Sequence, residues 1–283
     1  MIGDRDMENN NGMNNVNKTL YIPLYGKAYV SKKGLFLRDE KAEEIWSAEE
    51  IPLKGKSKSK WLAYYMGIRA AVFDCWVKEQ TANHCVTVIH IGCGMDSRVL
   101  RAGENCSMWY DVDFPEVIEE RRRYYEESDC YQMLAGDARD SDWLEKIPKG
   151  GKIVVIMEGI SMYLTPDEMR SLIESIGLRF DEVSLLVDCY TTFAAKMSEY
   201  KNPINDVGVT KVYGMDDPTL LQVGGMAYVK EHEMTPKRYI DELDGAEKII
   251  FGRLYAGGFS KKLYRLYEYE KKKPSAEEGK YED

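Results

Sequence analysis

The sequence predicts an α/β protein with a doubly wound, mostly parallel sheet, and two observations lead to this fold class. From residue 86 onward, five short apolar segments alternate with segments of helical periodicity. The apolar segments are nearly continuous runs, which is typical of strands covered by helices on both faces. Pro115 and Pro166 suit the first turns of two of the helices, and Thr165 suits an N-cap. The strands are predicted at Val86–Ile91, Met108–Val112, Tyr131–Ala135, Ile153–Met157 and Glu182–Val187, and the helices at 97–104, 115–127, 141–147 and 166–178.

The segments on either side of this alternation predict a helical cap and a lid. Trp61–Lys78 carries a wide apolar stripe at helical spacing, and the alternation lapses after Val187. Later segments predict a strand at 226–230, a helix at 236–248 and a strand at 262–269. We therefore expect a disordered tail over 1–17, a single domain over 18–270 and a charged tail over 271–283. Within the domain we expect an N-terminal helical cap (18–80), a cofactor-binding core (86–188) and a lid or substrate segment (190–245).

Composition and charge restrict the classes of partner that the protein is expected to bind. The net charge is −9, and the basic run Lys54–Lys60 is too short to track a phosphate backbone, so no nucleic acid is expected. The apolar runs are far shorter than a membrane span, so no membrane partner is expected. Six cysteines without a CxxC pair predict reduced thiols, no metal site and a cytoplasmic location. The oligomeric state is left open.

The stretch VIHIGCGMDSR at 88–98 predicts a ligand-binding turn. A doubly wound sheet binds its ligand at the carboxyl ends of the strands. Gly92 and Gly94 follow the first strand, where glycine permits positive φ and a close approach of the backbone. A plain tight turn is the alternative interpretation of these two glycines.

Acidic residues near this turn favour one ligand class. Asp111 and Asp113 end the second strand, where a carboxylate is placed to accept the ribose hydroxyls of an adenosine group. Ser97 stands where a dinucleotide fingerprint has its third glycine, and Asp96 beside the turn would repel a pyrophosphate. A cationic sulfonium is compatible with Asp96, so S-adenosylmethionine is favoured over NAD.

Two further strand ends carry acids facing the same cleft. Asp137 follows the third strand, where its carboxylate is placed to bind the adenine amino group, although a helix N-cap is the alternative role. Glu158 and Gly159 follow the fourth strand, and a carboxylate at a strand's carboxyl end suggests a functional role.

Six short stretches of the sequence follow one another in the order found in a known family, and a seventh, VYGMDDP at 212–218, is a weaker match. The six are TLYIPLYGKAYVSKKG at 19–34, IRAAVFD at 68–74, IGCGMDSRVLR at 91–101, WYDVDFPEVIEERR at 109–122, GDARDSDW at 136–143 and EGISMYL at 158–164. In this order they resemble the leucine carboxyl methyltransferase family, and within it the bacterial small-molecule O-methyltransferases linked to polyketide synthesis. The resemblance implies the Rossmann-like class I methyltransferase fold and S-adenosylmethionine as cofactor, with S-adenosylhomocysteine as product.

The resemblance also implies roles for individual residues. Arg69, assisted by Lys27, would hold the methionine carboxylate of the cofactor, and Asp113 would take the ribose hydroxyls. Asp137 would bind the adenine end, and Glu158 would lie near the cofactor's amino group and the substrate. The full predicted cofactor-binding set is Lys27, Arg69, Gly92, Cys93, Gly94, Asp113, Phe114, Asp137, Ala138, Glu158 and Gly159.

This chain departs from the family at a few positions. Met95 and Ser97 stand where family members often have Leu and Thr, and residues 190–235 match poorly. Arg69 also has an alternative role, an ion pair with Asp74 or Glu79 on its own helix.

The chemistry predicted is an in-line methyl transfer to an oxygen of a small acceptor. A carboxylate acceptor needs no general base, whereas a hydroxyl would benefit from one. No catalytic residue is assigned, although Glu158 and Tyr163 are candidates for the acceptor side. His84 and His90 are expected to be structural, and His232 is the histidine that could lie near a pocket. Further tyrosines that could line the pocket are Tyr21, Tyr25 and Tyr29.

Three different functions stay open at this point. A protein C-terminal carboxyl methyltransferase, which the family also contains, would need an open mouth for a peptide tail. A non-catalytic protein that binds the cofactor or a nucleotide is the second, and an NAD-dependent oxidoreductase is the third. The missing third glycine disfavours the oxidoreductase.

Overall fold

The computed structural model describes residues 20–49, 53, 55–82, 85–198 and 211–273. The predicted tail at 1–17, His84 and residues 274–283 lie outside the described residues.

A seven-stranded sheet forms the centre of the described part of the chain. The strand order is β3-β2-β1-β4-β5-β7-β6. Strands β1 to β5 pair in parallel, whereas β7 pairs antiparallel with both β5 and β6. The predicted doubly wound, mostly parallel sheet is thus confirmed. The strands are β1 (Val86–Ile91), β2 (Met108–Asp113), β3 (Tyr131–Ala135), β4 (Lys152–Met157), β5 (Glu182–Tyr190), β6 (Ala227–His232) and β7 (Tyr264–Lys271).

The central strands are apolar on both faces because each face contacts its own hydrophobic core. Val88 and Ile89 are neighbours on β1, are both fully buried and belong to different cores. Val154 and Val155 divide in the same way on β4. Alternate residues of a strand point to opposite faces, so a strand buried on both sides is a continuous apolar run.

Helices and short 3₁₀ turns connect the strands. Thr165 caps α6 in a capping box with Glu168, as the sequence predicts for this N-cap. The helices are α1 (Tyr21–Lys32), α2 (Glu40–Ala48), α3 (Lys60–Thr81), α4 (Arg98–Ala102), α5 (Pro115–Arg121), α6 (Pro166–Arg179), α7 (Thr192–Ser198), α8 (Lys237–Ile240), α9 (Gly245–Leu254) and α10 (Gly258–Leu263). The 3₁₀ turns cover Gly55–Lys58, Asp142–Lys146, Ser161–Tyr163 and Pro218–Leu221.

The predicted boundaries are wrong in several places. The helix expected over 236–248 is two helices, α8 and α9, and the second starts at Gly245, whose φ is +30°. Helix α10 fills the start of the strand expected at 262–269, and β7 runs on to Lys271 where the charged tail was expected to begin. Helices α4 and α5 are shorter than predicted, and the segment at 141–147 is a 3₁₀ turn.

The strand order reverses between β1 and β4, which places a crevice at their carboxyl ends. Helices α1 and α3 pack against each other beside this edge. Within the described ranges, no helix combines the length and apolarity needed to cross a bilayer.

Candidate active site

A cavity of about 870 Å³ opens at the carboxyl edge of the sheet. It extends from Asp137, after β3, past the turn after β1, to Tyr264 at the start of β7. Each residue of the predicted cofactor-binding set lines this cavity, and so does Tyr163. Its volume lies within the usual range for small-molecule sites.

The turn after β1 requires glycine. Gly92 and Gly94 have φ values of +69° and +51°, and the Gly92 amide donates to the Val112 carbonyl at 2.8 Å. A Cβ on Gly92 would overlap Cγ2 of Ile160, so any side chain there would be strained and would also collide. The turn therefore brings bare backbone to the cavity wall, as a ligand-binding turn requires.

The two carboxylates that end β2 have different environments. Asp113 lines the cavity and accepts hydrogen bonds from the amides of Gly94 (2.7 Å) and Phe114 (2.8 Å). Burial raises the pKa of Asp113 to about 6, against the lowering effect of these two bonds. Asp111 is fully buried and pairs with the Arg121 guanidinium, so it belongs to the packed interior and is not a ribose ligand.

Asp137 lies at the opposite end of the cavity from α3 and holds Arg139. Hydrogen bonds from the Arg139 side chain, at 2.9 Å from Nε to Oδ1, lower the pKa of Asp137. The residue before the nearby 3₁₀ turn is Ser141, so the predicted alternative of Asp137 as an N-cap is wrong. Its carboxylate is partly exposed at the cavity wall.

Arg69 joins two strand ends. Its Nε donates to Glu158 at 2.9 Å and its Nη1 to Asp188 at 2.9 Å. The predicted alternative of an ion pair with Asp74 or Glu79 is wrong, because Arg69 faces the sheet edge. The charge of Arg69 on the largely apolar helix α3 is therefore balanced by two carboxylates, one after β4 and one on β5.

Asp188 lies behind the cavity wall and positions Arg69 and Gly159, a role that the sequence reasoning missed. It follows the predicted fifth strand directly, so the rule that selected Asp137 and Glu158, an acid after a strand, would also have selected Asp188. Its carboxylate accepts from Arg69 and, at 2.7 Å, from the Gly159 amide. It is fully buried, and burial raises its pKa to about 6.

Arg98 is the centre of a buried ion network. It donates to Asp74 at 2.7 Å, pairs with Asp96 at 3.3 Å and donates to Glu158. Its side chain is fully buried. Burial alone would raise the pKa of Glu158, but Arg98 and Arg69 outweigh it and hold that pKa at about 2. Glu158 is therefore an anion at neutral pH and is unsuited to act as a general acid or base.

The carboxylate of Asp96 belongs to the buried ion network and is not an isolated negative charge. Its carboxylate pairs with Lys27 at 2.7 Å, Arg101 at 2.9 Å and Arg98. Burial opposes ionisation, but these three cations hold the pKa of Asp96 well below its usual range. The charge of Asp96 is thus shared with the protein's own cations, as that of Glu158 is with Arg69 and Arg98.

Three tyrosines and one histidine that the sequence placed near the pocket fall outside the cavity wall. Tyr25 packs on Trp46, with ring centroids 5.0 Å apart. Tyr21 and Tyr29 pack with it in the N-terminal core, so the prediction that these three tyrosines line the pocket is wrong. His232 is also absent from the wall. Its Nε2 lies 2.6 Å from a Glu268 oxygen.

His90 lies at the cavity wall, but its contacts are with the buried ion network. It is buried on β1, with Nε2 3.3 Å from Arg98 and Nδ1 3.3 Å from Asp111. Burial lowers its pKa, so the ring is neutral near pH 7.

The far side of the cavity is an apolar and aromatic surface, which we call the acceptor wall. Of the described residues in the predicted lid at 190–245, those that line the cavity lie in 190–198. A further part comes from 255–264, which the sequence reasoning placed outside the lid. The acceptor wall consists of Lys56, Ser59, Trp61, Leu62, Tyr65, Met66, Tyr190, Phe193, Ala194, Met197, Ser198, Tyr255, Phe259, Leu263 and Tyr264.

Comparisons with known proteins support the resemblance seen in the sequence. Residues 18–177 match the leucine carboxyl methyltransferase family. The chain belongs to this family. The chain is 25% identical to the tetracenomycin polyketide synthesis O-methyltransferase TcmP of Streptomyces glaucescens, over 83% of this chain and 89% of that protein. It is 29% identical to the S-adenosyl-L-methionine-dependent methyltransferase dpfgK of Gibberella zeae, over 61% of this chain and 64% of that one.

A solved structure confirms the fold. Magnesium protoporphyrin IX methyltransferase of Synechocystis, in its complex with S-adenosylhomocysteine, superposes with a TM-score of 0.50 at 10% identity. The match covers 82% of this chain and 93% of that chain. The predicted class I methyltransferase fold is thus confirmed, and this member of the leucine carboxyl methyltransferase family is an S-adenosylmethionine-dependent methyltransferase.

The cavity fits this cofactor chemically. A nucleoside needs hydrogen-bond acceptors for its hydroxyl and amino groups, and Asp113 and Asp137 provide carboxylates at the wall. An amino-acid group needs both charges, and Glu158 and Arg69 lie together where β4 ends. The glycine turn between these sites leaves space against the backbone.

Proposed function

We propose that this methyltransferase transfers a methyl group to a carboxylate oxygen of a small, largely apolar acceptor. The observation that carries this proposal is the composition of the acceptor wall, which among the residues that the structure describes is apolar and aromatic apart from Lys56 and hydroxyl groups. Among the described residues of that wall there is no carboxylate and no histidine. The acids that line the cavity, Asp96, Asp113, Asp137 and Glu158, all lie at the carboxyl ends of strands or in the adjoining turn.

The proposed position of the cofactor follows from the strand order. Asp113 takes the ribose hydroxyls and Asp137 the adenine amino group, on the β2–β3 side of the switch point. Glu158 takes the amino group, and Arg69, with Lys27 close by, takes the carboxylate. This arrangement directs the reactive end of the cofactor toward the acceptor wall.

Two buried tyrosines of the acceptor wall are poor bases. Burial raises the pKa values of Tyr65 and Tyr264 above the usual tyrosine value, so both hydroxyls keep their protons at pH 7. Tyr65 lies 3.0 Å from the Ser260 hydroxyl. A phenol acceptor would need a base to remove its proton, whereas a carboxylate is ionised at pH 7 and needs none.

The protein's own contribution is position and exclusion of water. When bound, S-adenosylmethionine supplies an electrophilic methyl group on a sulfonium. Aromatic side chains such as Trp61 and Tyr255, whose rings stack at 5.4 Å, bound the space beside it. Holding both reactants in line there accounts for about 7–11 kcal/mol of the barrier. TcmP, which is named an O-methyltransferase of polyketide synthesis, supports a small-molecule oxygen acceptor.

The proposal is tested by the chemical class of the product. The enzyme is incubated with methyl-labelled S-adenosylmethionine and with matched pairs of aromatic compounds that differ in a carboxyl or a phenolic hydroxyl. We expect label in the carboxylic acids, as esters that release methanol in mild alkali. The Asp113→Asn variant, measured alongside, should lose most of this activity at limiting cofactor.

Two outcomes would contradict the proposal. Preferential labelling of phenols as alkali-stable ethers would show that a base exists. Labelling of a peptide's C-terminal carboxyl, with small acids inert, would favour a protein carboxyl methyltransferase.

A further inference from the structure

The mouth of the cavity is surrounded by apolar side chains that face solvent. Phe193 and Met197 on α7 are 51% and 52% exposed, and Phe259 on α10 is 44% exposed. All three also line the cavity. Helices α7 and α10 pack against each other, so these side chains form one apolar rim.

The segments that build this rim are basic, in a chain whose net charge is −9. The ranges 53–62, 191–198 and 248–267 contain ten lysine and arginine residues and no acid. Each range contributes residues to the acceptor wall. Lys196, Arg253 and Lys262 form no ion pair with any residue that the structure describes. By contrast, Lys60, Lys248 and Arg265 pair with Glu247, Asp241 and Glu231. The positive charge around the mouth that is available to a partner is therefore that of Lys196, Arg253 and Lys262.

The apolar and basic residues share helix faces. Phe193 and Lys196 lie three residues apart on α7, and Phe259 and Lys262 have the same spacing on α10. Residues three apart on a helix are neighbours on its surface. The same spacing recurs on α9, where exposed Ile250 precedes Arg253. Three helices thus repeat one pattern, an apolar side chain beside a cation.

We propose that this rim is a docking surface for an anionic lipid membrane. Exposed large apolar side chains flanked by lysine and arginine are the pattern by which proteins lie in the lipid interface, with the apolar groups among acyl chains and the cations at anionic headgroups. Association through this face with a second copy is disfavoured, because it would bring like charges together. The sequence prediction of no membrane partner depends on the lack of a spanning segment, and the same lack among the described residues does not bear on such peripheral binding.

The rim gives the cavity a route to apolar acceptors. A membrane-dissolved acceptor would pass from the acyl chains directly to the acceptor wall at Phe193 and Phe259 without crossing water. This consequence rests on the proposed function, whereas membrane docking itself does not and is measured without cofactor or acceptor.

The test is vesicle co-flotation of the purified full-length protein. Vesicles of phosphatidylcholine alone are compared with vesicles containing about a quarter phosphatidylglycerol, at low and high salt. We expect binding to the anionic vesicles at low salt, and partitioning at least about thirtyfold weaker for the double variant Lys196→Glu/Lys262→Glu. The matched control is Lys146→Glu/Lys149→Glu, which changes the same charge at the amino-terminal edge of β4, opposite the cavity. The control should bind as the wild type does.

A second variant separates lipid insertion from charge alone. Phe193→Ser/Phe259→Ser should retain the salt-sensitive attraction but lose the binding that persists at high salt. The proposal is overturned if wild-type protein fails to float with anionic vesicles, or if both charge-reversal variants lose binding equally. A further outcome would also overturn it. In that outcome, Lys196→Glu/Lys262→Glu leaves flotation unchanged but abolishes self-association or binding to an acidic protein, whereas the control variant does not. Thermal melting of each variant checks that its fold is intact.

Discussion

The two aspartates that end β2 should separate fold stability from cofactor binding. Both are carboxylates on the same strand, two residues apart, but Asp111 faces the interior and Asp113 faces the cavity. Changing each to asparagine removes one charge and preserves shape. The pair is therefore a matched test of the proposed site.

Asp111→Asn should destabilise the fold. The carboxylate accepts from Arg121, from the Tyr131 hydroxyl at 2.7 Å and from Trp109 Nε1 at 2.8 Å, and is fully buried. Removing one partner of a buried ion pair costs about 3–5 kcal/mol. For a chain of this size, that corresponds to a fall in Tm of about 6–20 °C. Cofactor affinity of the folded variant should stay within about threefold of the wild type.

Asp113→Asn should have the opposite profile. Loss of the charge weakens the bonds that the ribose hydroxyls donate, and a hydrogen bond to a charged group contributes about 1.5–3 kcal/mol. Cofactor affinity should therefore fall about 10- to 100-fold. The raised pKa of Asp113 means that the folded state favours its protonated form, so ionisation lowers stability as pH rises from about 4 to 6. The neutral side chain avoids this cost at pH 7.5, but its Nδ2 cannot accept from the Gly94 or Phe114 amide, so Tm should change less than in Asp111→Asn.

Calorimetric titration with S-adenosylhomocysteine and thermal denaturation measure the two quantities. The assigned roles are refuted if Asp113→Asn binds as tightly as the wild type, or if Asp111→Asn weakens binding with no change in Tm.

Three further predictions follow from the same contacts. Cofactor affinity should fall as pH is lowered through about 6, as Asp113 gains a proton, and titrations across pH 5–8 should show no such fall in Asp113→Asn. Gly92→Ala should destabilise the fold by more than the roughly 1–2 kcal/mol of positive-φ strain, because the added methyl would meet Ile160. The control is Gly34→Ala, where φ is +65° and the space is open, so urea denaturation should show the strain alone. Arg98→Met should lower the free energy of unfolding by about 3 kcal/mol in the same assay. This is the low end of the cost of breaking a buried ion pair, because each carboxylate that Arg98 contacts retains another cation. A change below about 1 kcal/mol would contradict the network's role.

Local patterns predicted the part of the site that lies at strand ends. The β1 segment and the Gly92 turn are contiguous in sequence, so hydrophobic runs and glycine spacing locate them. The N-cap at Thr165 follows from its position before Pro166, and Glu168 completes the capping box. Such features depend on residues within one or two turns of each other.

The buried ion network could not be predicted from local sequence patterns. Arg98 contacts Asp74 and Glu158, which lie 24 and 60 residues away in sequence. Only the packing of α3 and α4 against the ends of β1 and β4 brings these charges together. The pairing of Asp96 was missed for the same reason, because its partner Lys27 comes from α1.

The acceptor wall was only partly predicted because its two late segments are remote in sequence from the core. Residues 190–198 and 255–264 meet through the antiparallel pairing of β5 with β7, in which Tyr190 lies opposite Tyr264. A lone late strand carries no sequence signal for its partner or direction. The lid was therefore placed by order along the chain, while the fold places part of the wall after it.

A crystal structure with S-adenosylhomocysteine tests the proposed site most directly. We expect both ribose hydroxyls within hydrogen-bond distance of Asp113, the adenine amino group at Asp137 and the amino-acid end between Glu158 and Arg69, with the acceptor wall left free. An adenosine group bound against Trp61 and Tyr255, away from Asp113, would contradict this assignment.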